Sequence, residues 1–402
     1  MIGGGRTVYI AGAGIAGLTL ALALAKFGTT VVVLERADAI QEIGAGLQIS
    51  PNARRVLNQL GLDRQMSARS LEPAAIDVYP FRSQRPVVSL PLGTAVTSRY
   101  GAPYAVMHRA DLAEVLHRAC RRFANIDIVF GVRDFDAVSH ARGVTVTADE
   151  PDGKSRSARA FAFAGADGVN SQTRVRILGG AASRYSGFVA WRTTLPMGAL
   201  DGIVAADRTS LLLGPGFHAV VYPLPHRSRI NVVLIAREKH SATPSKAPHL
   251  PWALLRSQRI DAILAAAEGT WAYWPIATVL QPIWHKGGIG LIGDAAHAVL
   301  PFQAQGAAMA IEDAAILAPL LMTEPTAESA FARFEAMRRE RLARVARQSR
   351  FNGFAFHMEW PFTLVRNAYL ATQGSPRHLE RLDWLYGFDT APELRTAVPV
   401  RA

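Results

Sequence analysis

The chain has 402 residues, half of them hydrophobic and 19% charged, which excludes wholesale disorder and exceeds one ordinary core, so two or three lobes are expected. The formal net charge of +12 raises nucleic-acid binding as a reading, but five of the 44 basic residues are lysine and 39 arginine, a skew that coding composition explains as well. One cysteine, Cys120, excludes an intramolecular disulfide framework and a Cys-rich zinc site, and fits a reducing compartment.

Met1 to Arg6 carry no cleavage-site pattern, and the apolar run after Ile15 stops at Ala25, too short for a bilayer. A soluble, cytoplasmic chain without a membrane span is expected. Residues 7–36 read as strand (Thr7 to Ala11), glycine turn (Gly12 to Gly17), helix (Leu18 to Phe27, closed by Gly28) and a strand buried on both faces (Thr30 to Leu34), a βαβ unit. Residues 51–62 read as a helix. Residues 74–104 lose helical character, hold four prolines and suggest an excursion into another lobe. Arg109 to Phe123 is the next helix, with Cys120 as a packing thiol. Ile126 to Phe130, Val144 to Thr147 and Arg159 to Ala164 read as strands. Between residues 184 and 236 four β-like runs follow without an intervening amphipathic helix, which favours an antiparallel sheet. Residues 241–250 read as a loop and Trp252 to Ala267 as a helix. Gly287 to Ile292 is strand-like, and a helix starts near Gln305. The last arm, Phe331 to Arg350, carries seven arginines against two glutamates and reads as a helix with a solvated arginine face; Phe331, Phe334, Met337, Leu342 and Val345 form its buried side.

Three glycine motifs carry chemistry. Gly12-Ala13-Gly14-Ile15-Ala16-Gly17 follows a strand and opens a helix, as a pyrophosphate cradle requires, and Glu35 at the end of the second strand is placed to accept hydrogen bonds from ribose hydroxyls. Nicotinamide and flavin dinucleotides both satisfy this unit. The glycine loop from Glu42 through Gly46 to Asn52 favours a long cofactor running past the sheet. Gly165-Ala166-Asp167-Gly168, with Arg174, follows a strand and taken alone is a common turn. Gly293-Asp294 also follows a strand and leads through Pro301-Phe302-Gln303-Ala304-Gln305 to Gly306 and Ala307 at a helix start, near half a positive charge. Glu312 and Asp313 are read as reinforcing that dipole, and His297 as structural. No His/Asp/Glu cluster has metal-ligand spacing, so no metal is expected, and no G-x-S-x-G elbow is present.

The three motifs in this order resemble the signature set of the single-component flavoprotein aromatic hydroxylases, and most closely the salicylate hydroxylase and 6-hydroxynicotinate 3-monooxygenase branch. The resemblance covers nearly the whole chain. It implies an α/β fold: a Rossmann-like FAD-binding domain of the glutathione-reductase type, an antiparallel-sheet substrate domain and a C-terminal helical arm. The boundaries expected are 1–73, 105–180 and 276–330 for the FAD-binding domain, 74–104 and 181–275 for the substrate domain, and 331–402 for the arm. Gly12, Gly14, Ile15, Ala16 and Gly17 would hold the FAD pyrophosphate, Glu35 the ribose, and Asp294 the ribityl chain. Arg36 and Arg109 would be polar partners of the cofactor, Gly306 and Ala307 would face the flavin pyrimidine, and Asp167 would serve both FAD and a visiting NADH or NADPH. The family often has His where Asn170 stands and Gly where Ala304 stands. Gln48 replaces a pocket histidine of some relatives, which puts a base at that position in doubt.

The implied reaction is hydroxylation of a small aromatic, phenolic or N-heteroaromatic carboxylic acid with NAD(P)H and O2 through a C4a-hydroperoxyflavin, with or without loss of the carboxylate, by a monomer or homodimer. His218 and Tyr222, four apart on one strand, point to one face and are the candidate proton-transfer pair. Arg192 is a candidate partner for a substrate carboxylate, and Gln48, Pro301 and Phe302 are expected to shape the pocket. The rival readings are a flavin oxidase or reductase that inserts no oxygen, and a flavin-binding redox sensor or nucleic-acid-binding protein using the arginine helix.

Overall fold

The computed structural model describes residues 5–40, 45–238, 246–248, 250, 257–280 and 282–390. Its first sheet is built around the βαβ unit. Strand Thr7–Ala11 lies parallel to Thr30–Leu34 on one side and to Ala162–Gly165 on the other, and the sheet runs on to Ile126–Val129 at one edge and to Ile289–Leu291 and His285–Lys286 at the other. Parallel strands need covered faces. The helix Ile15–Lys26 supplies one cover and is itself buried almost all round. Its Leu18, Leu20, Leu22 and Leu24 are inaccessible, each stabilising the fold by roughly 1.5–3 kcal/mol.

Helix Gly306–Thr323 packs on Ile15–Lys26, on Pro51–Gln59 and on Ala327–Phe356. By length and composition it could cross a membrane, but 83% of it is buried inside the protein, as a core helix is.

The second sheet has seven strands, in the order Ala272–Thr278, Arg184–Pro196, Arg229–Arg237, Phe217–Leu224, Thr209–Gly214, Ala75–Pro80 and Val88–Pro91. The excursion near residue 74 therefore joins the later β-rich stretch in one sheet. Its pairings are antiparallel except for Ala75–Pro80 with Thr209–Gly214, which is parallel. One face of this sheet covers its own small core with helix Gln258–Ala266, and its edge strand Val88–Pro91 packs against helix Phe362–Glu380. A two-stranded ribbon, Gly46–Ile49 with Ala105–His108, packs on strand Phe217–Leu224 of this sheet and on helix Gly306–Thr323.

Several sequence expectations need correction. Residues 74–104 do contain a helix, Gly93–Tyr100: Val96 and Tyr100, one turn apart, are buried, and Gly101 in the left-handed region ends it. The run from Arg159 to Ala164 is two strands. Ser155–Ala160 belongs to a three-stranded sheet with Gly143–Asp149 and Asp134–His140, a strand not expected, whereas Ala162–Gly165 joins the parallel sheet. The arginine helix extends over Ala327–Phe356, with Phe331, Phe334, Leu342 and Val345 buried but Met337 exposed. Nor are all its arginines solvated: Arg338 and Arg341 are buried and hold Glu312 and Asp313, which form ion pairs instead of merely biasing a helix dipole. The loop from Glu42 to Gly44 and the expected helix start at Trp252 lie outside the described residues.

Candidate active site

The nucleotide cradle forms because glycine is required at each close approach. Gly12 has φ +99°, and a Cβ there would lie 2.6 Å from the Ala166 carbonyl oxygen; on Gly17 it would lie 1.9 Å from the Gly12 oxygen. Gly14 caps helix Ile15–Lys26 without any side-chain hydrogen bond, so the N–H groups at Ile15 and Ala16 remain open to an anion. Glu35 accepts from the Ala13 N–H at 2.7 Å through one oxygen and from the Ala37 N–H at 2.9 Å through the other, so it locks the glycine turn as well as presenting a carboxylate there. Arg36 follows it, exposed at the strand end.

The other two motifs converge on the same helix. Gly293, with φ +59°, packs against Ala16, and Asp294 opens the short helix Asp294–His297 with its side chain exposed. An Asp294 oxygen lies 4.0 Å from where a Cβ on Gly306 would be, and Gln305 leaves the first turn of Gly306–Thr323 without a side-chain cap. Asp167 is spent locally: it accepts from Ser171 Oγ at 2.5 Å and from the Thr173 N–H at 2.9 Å. Arg174, buried, ties the two motifs by donating to the Val169 and Ala295 carbonyls. An uncapped helix start above a glycine turn that no Cβ could enter, with an exposed carboxylate beside a second uncapped helix start, fits a dinucleotide carrying a polyol. The cradle thus suits FAD on its own geometry.

Beyond Gly306 a cavity of about 1070 Å³ opens between the second sheet, the Pro301–Ala304 loop and the C-terminal helices. Gln48, Pro301, Phe302 and His218 line it. The Tyr104 hydroxyl donates to Gln48 Oε1 and so fixes the orientation of that amide. Ala304 adopts φ +53°, a left-handed conformation that costs a side chain energy and explains why glycine is the easier residue there. His218 is fully buried, with Nδ1 2.8 Å from His357 Nε2 and Phe302 and Phe356 against its ring. Burial holds its imidazole well below the ordinary histidine range, and the neighbouring His357 adds to the effect. Burial and the charge of Arg237 likewise bring His357 down to about 4.

Tyr222 shares the sheet face of His218 but does not line the cavity. It packs under the ribbon, where a Cβ on Gly46 would meet its hydroxyl at 2.6 Å, and burial raises its phenol. Arg192 is also off the cavity lining. Its guanidinium lies 5.6 Å from the Trp274 ring, its Nε has no partner among the described residues, and burial, then the like charge of Arg109, lowers it. Arg109 therefore stands close to Arg192, at the start of helix Arg109–Cys120.

Sequence reading missed three groups of residues. Asn231 Oδ1 accepts from the Gly46 N–H at 2.6 Å and pins the ribbon to the sheet. His357 comes from a helix end 139 residues away from His218. A buried network joins the flavin-side loop to the arm: Asn52 donates to Glu312, which also receives Arg338 and Arg341, while Asp313 accepts from the Gly293 N–H, His297 and Arg338. Only the repeated arginines at Arg338 and Arg341 hinted at it.

Residues 6–352 match the family model described as an FAD binding domain. The chain is 32% identical over 96% of its length to a 3-amino-4-hydroxybenzoate 2-monooxygenase, PtnB3, of Streptomyces platensis, covering 96% of that protein. It is 30% identical over 97% of its length to 3-hydroxybenzoate 6-hydroxylase 1 of Aquipseudomonas alcaligenes, covering all of it. Among solved structures, a salicylate hydroxylase substrate complex superposes with a TM-score of 0.77 at 23% identity, over 99% of both chains, a likeness of fold.

Proposed function

Because the chain belongs to the FAD-binding-domain family and is an FAD-dependent aromatic monooxygenase using NAD(P)H and dioxygen, we propose that it hydroxylates a phenolic or N-heteroaromatic carboxylic acid, with His218 as the proton acceptor. The observation that carries this is a buried imidazole on the wall of a cavity that also meets the Pro301–Ala304 loop beside Gly306. The relatives named above act on hydroxylated benzoates, which supports a ring bearing both groups.

FAD, once reduced by NAD(P)H, supplies the activation of dioxygen. The protein's residues do the rest. Gly12, Gly14, Ile15, Ala16 and Gly17 would hold the pyrophosphate, Glu35 the ribose, and Asp294 the polyol; Arg36 and Arg109 would complete the cofactor's polar surroundings, with Asp167 bracing the Ser171–Thr173 turn next to them, and the Gly306 and Ala307 N–H groups would stabilise charge on the pyrimidine. His218 takes the phenolic proton at Nε2 in the tautomer whose Nδ1–H donates to His357 Nε2. Tyr222, on the same sheet face ~13 Å further along the strand and beside Gly46, is the second candidate for proton transfer. Arg192, half-buried on the same sheet face but off the cavity lining, and with no Nε partner among the described residues, is the proposed partner of a carboxylate that reaches past the cavity toward Gly46. Gln48, Pro301 and Phe302 shape the ring's pocket. We place the enzyme in the cytoplasm as a monomer or homodimer; its single, buried cysteine supports a reducing compartment.

Replacing His218 by Gln or Tyr222 by Phe should lower aromatic-stimulated hydroxylation on the order of 10²-fold or more while the protein stays yellow with FAD. Undiminished turnover in either variant removes that residue from proton transfer. Product mass after reaction in ¹⁸O₂ separates oxygen insertion from plain oxidation, and plain hydroxylation from hydroxylation with loss of carboxylate.

A further inference from the structure

The cavity continues well past the ring site. From His218 it runs across the sheet over Leu211 and Leu213, then Ile76 and Val78, then Val88 and Leu90 on the edge strand. At about 4.8 Å between neighbouring strands, these three steps cover ~14 Å, longer than one benzenoid ring with its substituents. The whole cavity, about 1070 Å³, lies at the top of the range of roughly 300–1,000 Å³ that encloses drug-sized ligands.

The sheet side of this arm is apolar. The six sheet residues along it are aliphatic, with Thr209 beside them, while the helices opposite add Gln348, Asn352, Tyr369 and His378. The facing wall is helical, and Phe351 and Val365, 59% and 70% exposed, stand at it without cover. The arginines that touch this end are already engaged. Arg366 donates to the Ala355 and Phe356 carbonyls, Arg344 lies over the Trp384 ring, and Arg381 donates to Gln373. A hydrocarbon chain in this arm meets, along the sheet, side chains that gain by being covered.

We propose that the aromatic substrate carries an apolar chain, alkyl or isoprenoid, that lies in this arm while the ring stands at His218. The inference rests on the hydroxylase reading above and names its substrate class. Continuity of the arm with the ring site is what assigns it to the substrate and not to a separate partner.

The test uses the FAD-loaded enzyme and two probes that differ by one chain, resorcinol and 4-hexylresorcinol, titrated by perturbation of the flavin absorbance. The hexyl compound should bind at least 30-fold more tightly, and Val88→Trp and Leu90→Trp, each checked for retained FAD, should shrink that ratio below threefold. Equal affinities in the parent enzyme, or a ratio that survives both substitutions, would overturn the arm. Turnover is read separately: a chain-dependent binding ratio with no ring-stimulated NADH oxidation sinks the hydroxylase reading alone, bare-ring turnover with no ratio sinks the arm alone, and a flavin spectrum untouched by either probe sinks both.

Discussion

Two imidazoles meet at the cavity wall and share one hydrogen bond, and both are held neutral by burial. That arrangement has a pH cost with a definite sign. An unfolded histidine protonates near pH 6.5, while folded His357 resists until about 4, so the unfolded state binds more protons in between. Stability is therefore undiminished above pH 6.5 and falls as the pH drops toward 4, by up to about 1.4 kcal/mol per pH unit for each such histidine. Replacing His357 by Phe should flatten this decline in urea midpoints measured from pH 7 to pH 4.5; an unchanged slope would mean that another group sets it. His218 and Tyr222 were legible because strand alternation places i and i+4 on one face. His357 was not, because no local pattern links a helix end to a strand 139 residues earlier.

The helix Ala327–Phe356 shows how an element can be recognised and its role misread. Its periodic apolar residues identify a helix, but a guanidinium buried against carboxylates and one in water look alike in sequence. Arg338 bridges Glu312 and Asp313 with 2.7 Å contacts to each, and Arg341 adds a second cation on Glu312. Burial alone would raise the Asp313 carboxyl, yet the charges of His297 and Arg338 outweigh it and hold Asp313 at about 2. This contribution is present above the ordinary carboxylate range and is lost as the pH falls toward 2. Arg338→Met leaves two buried carboxylates short of a partner and should cost about 3–5 kcal/mol in chemical denaturation. A cost under about 1 kcal/mol would show that water or a rearranged Arg341 replaces it. The network also reaches the loop that carries Gln305 and Gly306, so the same variant should weaken FAD retention.

At the scale of the molecule, the proposed dinucleotide site draws on three separated stretches of chain, so cofactor and fold are thermodynamically linked. FAD at a hundredfold excess over its dissociation constant should stabilise the protein by about 2.7 kcal/mol and raise Tm accordingly. Gly12→Ala, whose Cβ would press on the Ala166 carbonyl, should abolish that rise, whereas His218→Gln should keep it; a full shift in Gly12→Ala would place the dinucleotide elsewhere. What the sequence by itself determined is the nucleotide face: its strand, glycine turn, helix and acidic residue fall within 36 residues, and the steric demands that select glycine there act between near neighbours. The order of the three glycine motifs extended this to the family. Only the tertiary structure decided the pocket. Its wall is assembled from residues 76–90, 211–220, 301–304 and the C-terminal helices, and its length, its apolar character and the pairing of its histidines depend on distances that no local periodicity encodes. Only packing, too, decided which arginines carry charge into solvent and which spend it inside, because burial is a property of the whole fold.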